Sequence, residues 1–166
     1  LAQDASGRVF CYSNADLRKG EEAEEIFRFI EFWQRQHGEL PRHLVVVGSG
    51  VTGVEFVHMF RSFGSEVSLI VSRRQVLPDK DPEVAAVLEQ SFIDRGVTLV
   101  MGARATAIEQ TPNGIRVACD DGRSVEGSHV LLAIGSIPNS ESLGLDRAGI
   151  ETDGGYVRVD HNCRSS

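Results

Sequence analysis

The apolar positions along the chain change their period several times, and each change marks an element. Four consecutive apolar residues, Leu44 to Val47, run into a glycine-rich turn and then into Val54, Phe56, Val57, Phe60 and Phe63 at helical spacing. Gly64 is the stop of that helix, which runs to about Phe63, and Glu66 to Val71 (EVSLIV) reads as the next strand. Strand, helix, strand in this order predicts a right-handed parallel unit. Asp81 then caps another helix with Pro82 at its first position, and Val84, Val87, Leu88 and Phe92 are its expected buried face before Gly96. Val97 to Met101 follows as the third parallel strand. Beyond Gly102 the runs are short and alternating: Ala103 to Gln110, Ile115 to Cys119, Ser124 to Val125, punctuated by Asn113-Gly114 and Asp121-Gly122. That punctuation predicts an antiparallel meander and not another helical crossover. Val130 to Ile134 is a buried strand ending at Gly135, expected to return to the parallel sheet. The class is therefore α/β.

The opening of the chain has a different character. Arg8 to Ser13 (RVFCYS) is rich in β-formers, and Asn14 and Asp16 supply turn chemistry after it. A helix follows, with Glu21, Glu22, Glu24 and Glu25 in its first turns, Arg35 and His37 in its last and Gly38 as its cap, all in keeping with the helix dipole. Its apolar stripe of Ala23, Ile26, Phe27, Ile30 and Trp33 is widened by Phe29 and Phe32, so it needs cover from another element or chain. Packing is the expected use of these aromatics, because the interleaved basic residues of a base-stacking platform are missing. Glu39-Leu40-Pro41 is a plausible break. We expect residues 1–40 to be a strand-helix segment of uncertain origin and residues 41–166 to be a second unit.

Composition narrows the function without choosing it. The 166 residues are 41% hydrophobic with a net charge of -7, which suits a globular fold and gives no general attraction to nucleic acid or anionic membrane. No apolar run approaches the ~20 residues of a membrane span, and no signal-peptide pattern opens the chain. A soluble, cytoplasmic protein is expected. Cys11, Cys119 and Cys163 make neither a CxxC nor a CxxxxC pair, so they read as buried or idle thiols, and no metal ligands stand out. The chain starts at Leu1 and ends in a polar run at Ser166, as an excerpt of a longer protein would.

The chemistry is concentrated in Gly48-Ser49-Gly50-Val51-Thr52-Gly53. A strand feeding G-x-G-x-x-G and then a helix is the order of a dinucleotide-binding, Rossmann-like fold. Gly48 would permit the tight turn, Gly50 would let a pyrophosphate approach the backbone, and Gly53 would let the helix pack closely on the strand. The phosphates would meet the amides of Val51 and Thr52, at a helix end that carries partial positive charge. A lone GxGxxG occurs in ordinary loops, and it is the flanking strand and helix that favour the nucleotide reading.

The order of motifs resembles the NAD(P)-binding domain of the FAD-dependent pyridine nucleotide-disulfide oxidoreductases. The matching residues run from about Leu40 to Ser166: GSGVTGVE, Leu77-Pro78 with Asp81, Arg95-Gly96-Val97, the meander, and AIGSIPN from Ala133 to Asn139. Leu143-Gly144-Leu145, Gly149-Ile150 and Val157-x-Val159-Asp160 continue the match. Within the family the wording is most similar to the NAD(P)H:quinone reductase branch, which is lipoamide dehydrogenase-like but lacks the redox-cysteine pair. The resemblance implies a Rossmann-like parallel sheet with helices and an antiparallel β-meander crossover. It also implies Val51 and Thr52 at the pyrophosphate, Glu55 near the nicotinamide, Ser72, Arg73 and Arg74 by the adenosine ribose, and Ala133, Ile134 and Gly135 along the cofactor. Read alone, Glu55 is a solvated helix carboxylate, and Arg73 and Arg74 a charged loop.

Departures from the family pattern are equally informative. The chain has no first glycine motif for FAD, no CxxxxC, no second FAD motif and no interface domain, and Ser136 stands where the family carries an arginine. FAD is expected only in a full-length parent, itself expected to be a homodimer, and hydride acceptance belongs to that flavin. A complete cycle with a quinone or disulfide acceptor needs those parts. The alternatives are a non-catalytic NAD(P)-binding or interaction module, and a fusion, since residues 9–34 weakly resemble part of a DDE-type transposase. In that case the following strand would carry an acidic metal ligand, whereas Leu44 to Val47 leads to glycines. Cofactor choice is divided. Ser68 to Arg74 contains no acid for a ribose, Val71 fills the position of the NAD-users' carboxylate, and Ser72, Arg73 and Arg74 suit a phosphate. Gly53 and Pro78 resemble the NAD-type members, so NADPH is expected to be preferred over NADH by only about tenfold, with both bound.

Overall fold

A computed structural model of the chain describes residues 2–3, 9–10 and 39–166, of which β1 (Ala2–Gln3) and β2 (Val9–Phe10) are two-residue strands. The rest of the expected strand at residues 8–13 and the expected aromatic helix lie outside the described residues. Two compact units are present, one up to Ile134 and one from Gly135 to Ser166.

The first unit is built on β3 (His43–Val47), α1 (Val51–Ser62), β4 (Glu66–Val71), α2 (Pro82–Asp94) and β5 (Thr98–Met101). A meander of β6 (Ala105–Thr111), β7 (Gly114–Cys119) and β8 (Ser124–Gly127) follows, and β9 (His129–Leu132) closes the unit. The main sheet has the order β2-β1-β9-β3-β4-β5, with β9, β3, β4 and β5 mutually parallel and β1 antiparallel to β9. The expected return of the last apolar run to the parallel sheet is observed, in the register Val47 opposite Leu132.

Burial explains why β3 and β4 are apolar almost throughout. On one face Leu44, Val46, Leu69 and Val71 pack with Val54, Val57 and Phe60 of α1 and with Ala85 and Phe92 of α2. On the other, Val45, Val47, Ile70 and Val130 pack against Ile115, Val117 and Cys119 of β7. Strands covered on both faces lose the polar alternation that a solvated face would impose. The meander has only one such face, and β7 alternates accordingly, burying Ile115, Val117 and Cys119 while exposing Arg116.

One expectation is overturned. Val84 and Val87 of α2 are 60% and 72% exposed, whereas Ala85 and Phe92 are buried. At about 100° per residue, Val87 lies roughly 140° round the helix from Phe92, whereas Ala85 and Leu88 fall on the Phe92 side. The small Ala85 lets the helix approach the sheet, and the spacing of the valines alone could not choose between two overlapping stripes.

The second unit is largely irregular. It contains the hairpin of β10 (Thr152–Asp153) and β11 (Tyr156–Val157), and the Asp160 carboxylate accepts the amides of Asn162 at 2.8 Å and Arg164 at 3.0 Å.

Candidate nucleotide site

The chain runs from β3 through α1 to β4, on to α2 and β5, and then recrosses to place β9 on the opposite side of β3. The direction of winding therefore reverses between β3 and β9. In open α/β sheets the crevice for a ligand lies at such a reversal, outside the carboxyl ends of the strands. The glycine turn starts there, immediately after Val47.

Its three glycines meet different surroundings. Gly48 has φ +110°, and a Cβ there would strike the carbonyl of Ala133, the residue that follows β9. Its amide donates to Ile70 O at 3.1 Å, and the Ala133 amide donates to Val47 O at 2.8 Å, so the turn is tied to both neighbouring strands. At Gly53 a Cβ would overlap the carbonyl of Gly48. The first turn of α1 thus sits directly on the loop that precedes it. Gly50 is the opposite case: its φ of -70° is open to any residue, and a Cβ would meet nothing within 4 Å. Glycine at this position leaves room above the backbone without any need of a special conformation.

The helix end beside that room has no side-chain cap. Gly50 is the N-cap of α1, makes no side-chain cap, and the first turn holds no acid. Val51 is 51% exposed and Thr52 half-buried, while Ser49 is buried and its carbonyl accepts the Leu77 amide at 2.8 Å. Such a helix start offers backbone donors and a favourable field to an anion.

The remaining sequence-predicted residues of the first unit lie on three stretches of chain. Ala133 is half-buried against the glycines, with its Cβ 3.6 Å from where a Gly53 Cβ would be, and Ile134 beside it is 72% exposed. Ser72, Arg73 and Arg74 are exposed just beyond β4, the neighbouring parallel strand. Glu55 is exposed on α1. Gly135, at φ +130°, opens the second unit. Leu77 of the Leu77-Pro78 motif and Glu89, which the sequence reading did not single out, brace the segment that adjoins the turn. Leu77 holds a left-handed φ of +47° while bonding to Ser49, and the Glu89 carboxylate on α2 accepts the amide of Val76 at 2.8 Å. A leucine carries no sequence mark of such a conformation. The signal for Glu89 was a carboxylate one position from Leu88 on a helix flank.

Ionisation is most clearly perturbed in the meander. Hydrogen bonding to Glu126 raises the Arg116 guanidinium, and the Arg123 side chain, bonded to Asp121 at 2.6 Å, holds that carboxyl below its ordinary value. Burial pushes the Cys119 thiol up, which keeps it protonated and unsuited to nucleophilic work. No group of three or more potential metal ligands occurs among the described residues.

Comparison with known proteins agrees with this geometry. The family model described as pyridine nucleotide-disulphide oxidoreductase matches residues 17–166, which takes in part of the opening segment. An NAD(P)H dehydrogenase (quinone) from Mycobacterium tuberculosis is 50% identical over 127 residues, covering 76% of this chain and 26% of that protein. A dihydrolipoyl dehydrogenase from Zymomonas mobilis is 35% identical over 125 residues, covering 73% and 27%. The crystal structure of LpdA from Mycobacterium tuberculosis superposes with a TM-score of 0.66 at 49% identity, covering 76% of this chain and 28% of that one. The chain therefore spans about a quarter of the length of these relatives. By its motifs, its sheet and a family match over most of its length, the chain belongs to the pyridine nucleotide-disulphide oxidoreductase family.

Proposed function

We propose that this chain is the NAD(P)H-binding portion of a FAD-dependent oxidoreductase that passes hydride from NAD(P)H to flavin and on to a quinone or disulfide acceptor. The observation that carries the reading is the open space over Gly50 at the winding reversal, flanked by two glycines whose packing leaves no room for a side chain. The names of the relatives, a quinone dehydrogenase and a dihydrolipoyl dehydrogenase, support the acceptor classes. In this reading the pyrophosphate lies over Gly50 against the amides of Val51 and Thr52. Ala133, Ile134 and Gly135 run along the dinucleotide, with Glu55 near the nicotinamide. Flavin, when bound, supplies the hydride-accepting ring. We place its site, the interface domain and a homodimer in a cytoplasmic parent protein. No helix among the described residues is long and apolar enough to cross a membrane.

Cofactor choice rests on the loop after β4. Ser72, Arg73 and Arg74 offer a hydroxyl and two guanidinium groups to a 2′-phosphate, and the strand before them ends in the buried Val71, not in an acid. Exposure weakens each contact through solvent and salt, so NADPH should bind about tenfold more tightly than NADH and not exclusively. Calorimetric titration with each cofactor at low and high salt tests this. Absence of binding to either would sink the reading, whereas equal affinities untouched by Arg73→Ala and Arg74→Ala would remove only the phosphate role of the loop.

A further inference from the structure

The two arginines of that loop occupy a short span held at both ends. On one side Val71 is the last residue of β4, and its carbonyl accepts the Ala103 amide at 3.1 Å. Five residues on, the Val76 amide donates to the Glu89 carboxylate at 2.8 Å, and the next amide, that of Leu77, donates to the Ser49 carbonyl in the glycine turn at 2.8 Å. Val76 itself is fully buried in the main core, and the chain beyond it is folded back by Lys80 N to Leu77 O at 2.9 Å and by the Gln75 side-chain amide to Lys80 O at 3.0 Å. Arg73 and Arg74 are thus exposed side chains on a fixed, four-residue backbone bridge whose far anchor is a carboxylate on a different element.

We propose that Glu89 is a positioning residue for cofactor selectivity: by holding Val76 it fixes the bridge that presents Arg73 and Arg74 to the cofactor's 2′-phosphate. The inference rests on the nucleotide-binding reading and adds to it a residue on α2 that has no place at the glycine turn. Its physical basis is entropic. A bridge fixed before binding does not need to be ordered by the phosphate, so the loop's two charged contacts are realised in full. Loss of the Glu89 anchor leaves a buried amide without its charged acceptor and frees the bridge to sample other paths, although the Leu77 to Ser49 bond remains. NADPH, which uses the bridge, should suffer more than NADH, which does not.

Two conservative substitutions separate positioning from charge. Glu89→Gln keeps the reach and an acceptor oxygen but removes the charge, and Glu89→Asp keeps the charge but is one methylene too short. In the full chain, calorimetric titration with NADPH and NADH and amide hydrogen exchange at Val76 and Leu77 would be measured for both. We expect Glu89→Asp to lower the ratio of NADPH to NADH affinity from about tenfold to about threefold or less, and to speed exchange at Val76 by about tenfold or more, since a hydrogen bond to a charged group is lost. Glu89→Gln should keep the wild-type ratio and exchange more slowly than Glu89→Asp. If Glu89→Gln instead loses selectivity and Glu89→Asp retains it, Glu89 acts through its charge and the proposal is overturned. Faster exchange with an unchanged ratio would also overturn it, because the anchor would then be structural only. Failure of the unsubstituted chain to bind either cofactor would remove the nucleotide reading and this inference with it, and the exchange data would still report whether the anchor exists.

Discussion

The two helices of the parallel unit begin in opposite ways. At α2 the chain closes its own helix end: Asp81 accepts the Glu83 amide at 2.8 Å, Pro82 fills a position that needs no donor, and Glu83 puts an acid in the first turn. At α1 none of these devices is used. The cap is a glycine without a side chain, the first turn has no carboxylate, and the space above the cap is empty. Helices of 12 and 13 residues that pack on the same sheet face need the same closure for stability. On the proposed reading, the end of α1 is left for the cofactor's pyrophosphate, whereas that of α2 is closed by its own side chains.

The largest effect is expected where α1 touches its own turn. Gly53→Val would drive a branched side chain into the Gly48 carbonyl, and overpacking against backbone cannot relax by a rotamer change. We expect a loss of about 3 kcal/mol or more in denaturant unfolding, at the upper end for inserted bulk. A fully stable variant would mean that helix and turn do not approach each other this closely.

Next comes the substitution that would make α1 resemble α2. Gly50→Asp supplies a cap and a negative charge in the open space, at a φ that any residue adopts. Stability should change by no more than about 0.5 kcal/mol, because aspartate and glycine caps differ by tenths. Nucleotide affinity should fall by about 100-fold, equivalent to roughly 2.7 kcal/mol, through lost space and repulsion of the pyrophosphate. Retained affinity in a calorimetric titration would erase the functional contrast between the two helix ends.

The converse change, Asp81→Ala, opens α2. It should cost about 1 kcal/mol of stability, typical of a lost cap. Nucleotide affinity should move by less than about twofold, a shift below 0.5 kcal/mol. Chemical unfolding beside titration with NADPH would show whether the two effects are separate.

The smallest effect concerns a third end closed by an aspartate, the turn between β7 and β8. There Asp121 accepts the Arg123 amide at 3.0 Å and its side chain at 2.6 Å, while Arg123 also donates to Met101 O at 2.7 Å. Because the side-chain hydrogen bond from Arg123 lowers the Asp121 pKa, its contribution is present above the unfolded value of about 3.9 and is lost as pH falls through the lower folded value. The pair is exposed, so the loss should be slight and weakened by salt. Amide exchange across the turn should therefore quicken only in acid. Asp121→Asn should remove that pH dependence, and an unaltered acid profile would show that the pair contributes nothing.

How much of this could be read from the chain depends on the range of the interactions involved. Local signals were sufficient for element type and order. Glu66 to Val71 is a strand over the residues expected, Asp81 and Pro82 start α2, Gly64 ends α1 at φ +94°, and Asn113-Gly114 turns β6 into β7. Each rests on backbone preferences or periodicity within a few residues, which the sequence carries directly. The glycine turn was legible for the same reason, and so were the tight turn at Gly48 and the close packing at Gly53.

Tertiary structure decided whatever depended on a residue far away in the chain. Only the packed sheet turns Ala85 inward and Val87 outward, because two stripes of similar hydrophobicity overlap on α2 and the available gap selects the smaller residue. Only the return of β9 beside β3 brings the Ala133 carbonyl against Gly48, 85 positions earlier, and so makes that glycine obligatory by contact as well as by φ. Glu89 meets Val76, and Leu77 meets Ser49, through bonds that no local preference announces. Local sequence was enough to say which described segments are strands, helices and turns, the glycine turn among them. Which side chains hold that turn in shape was left to the fold, since such contacts exist only once distant segments share one core.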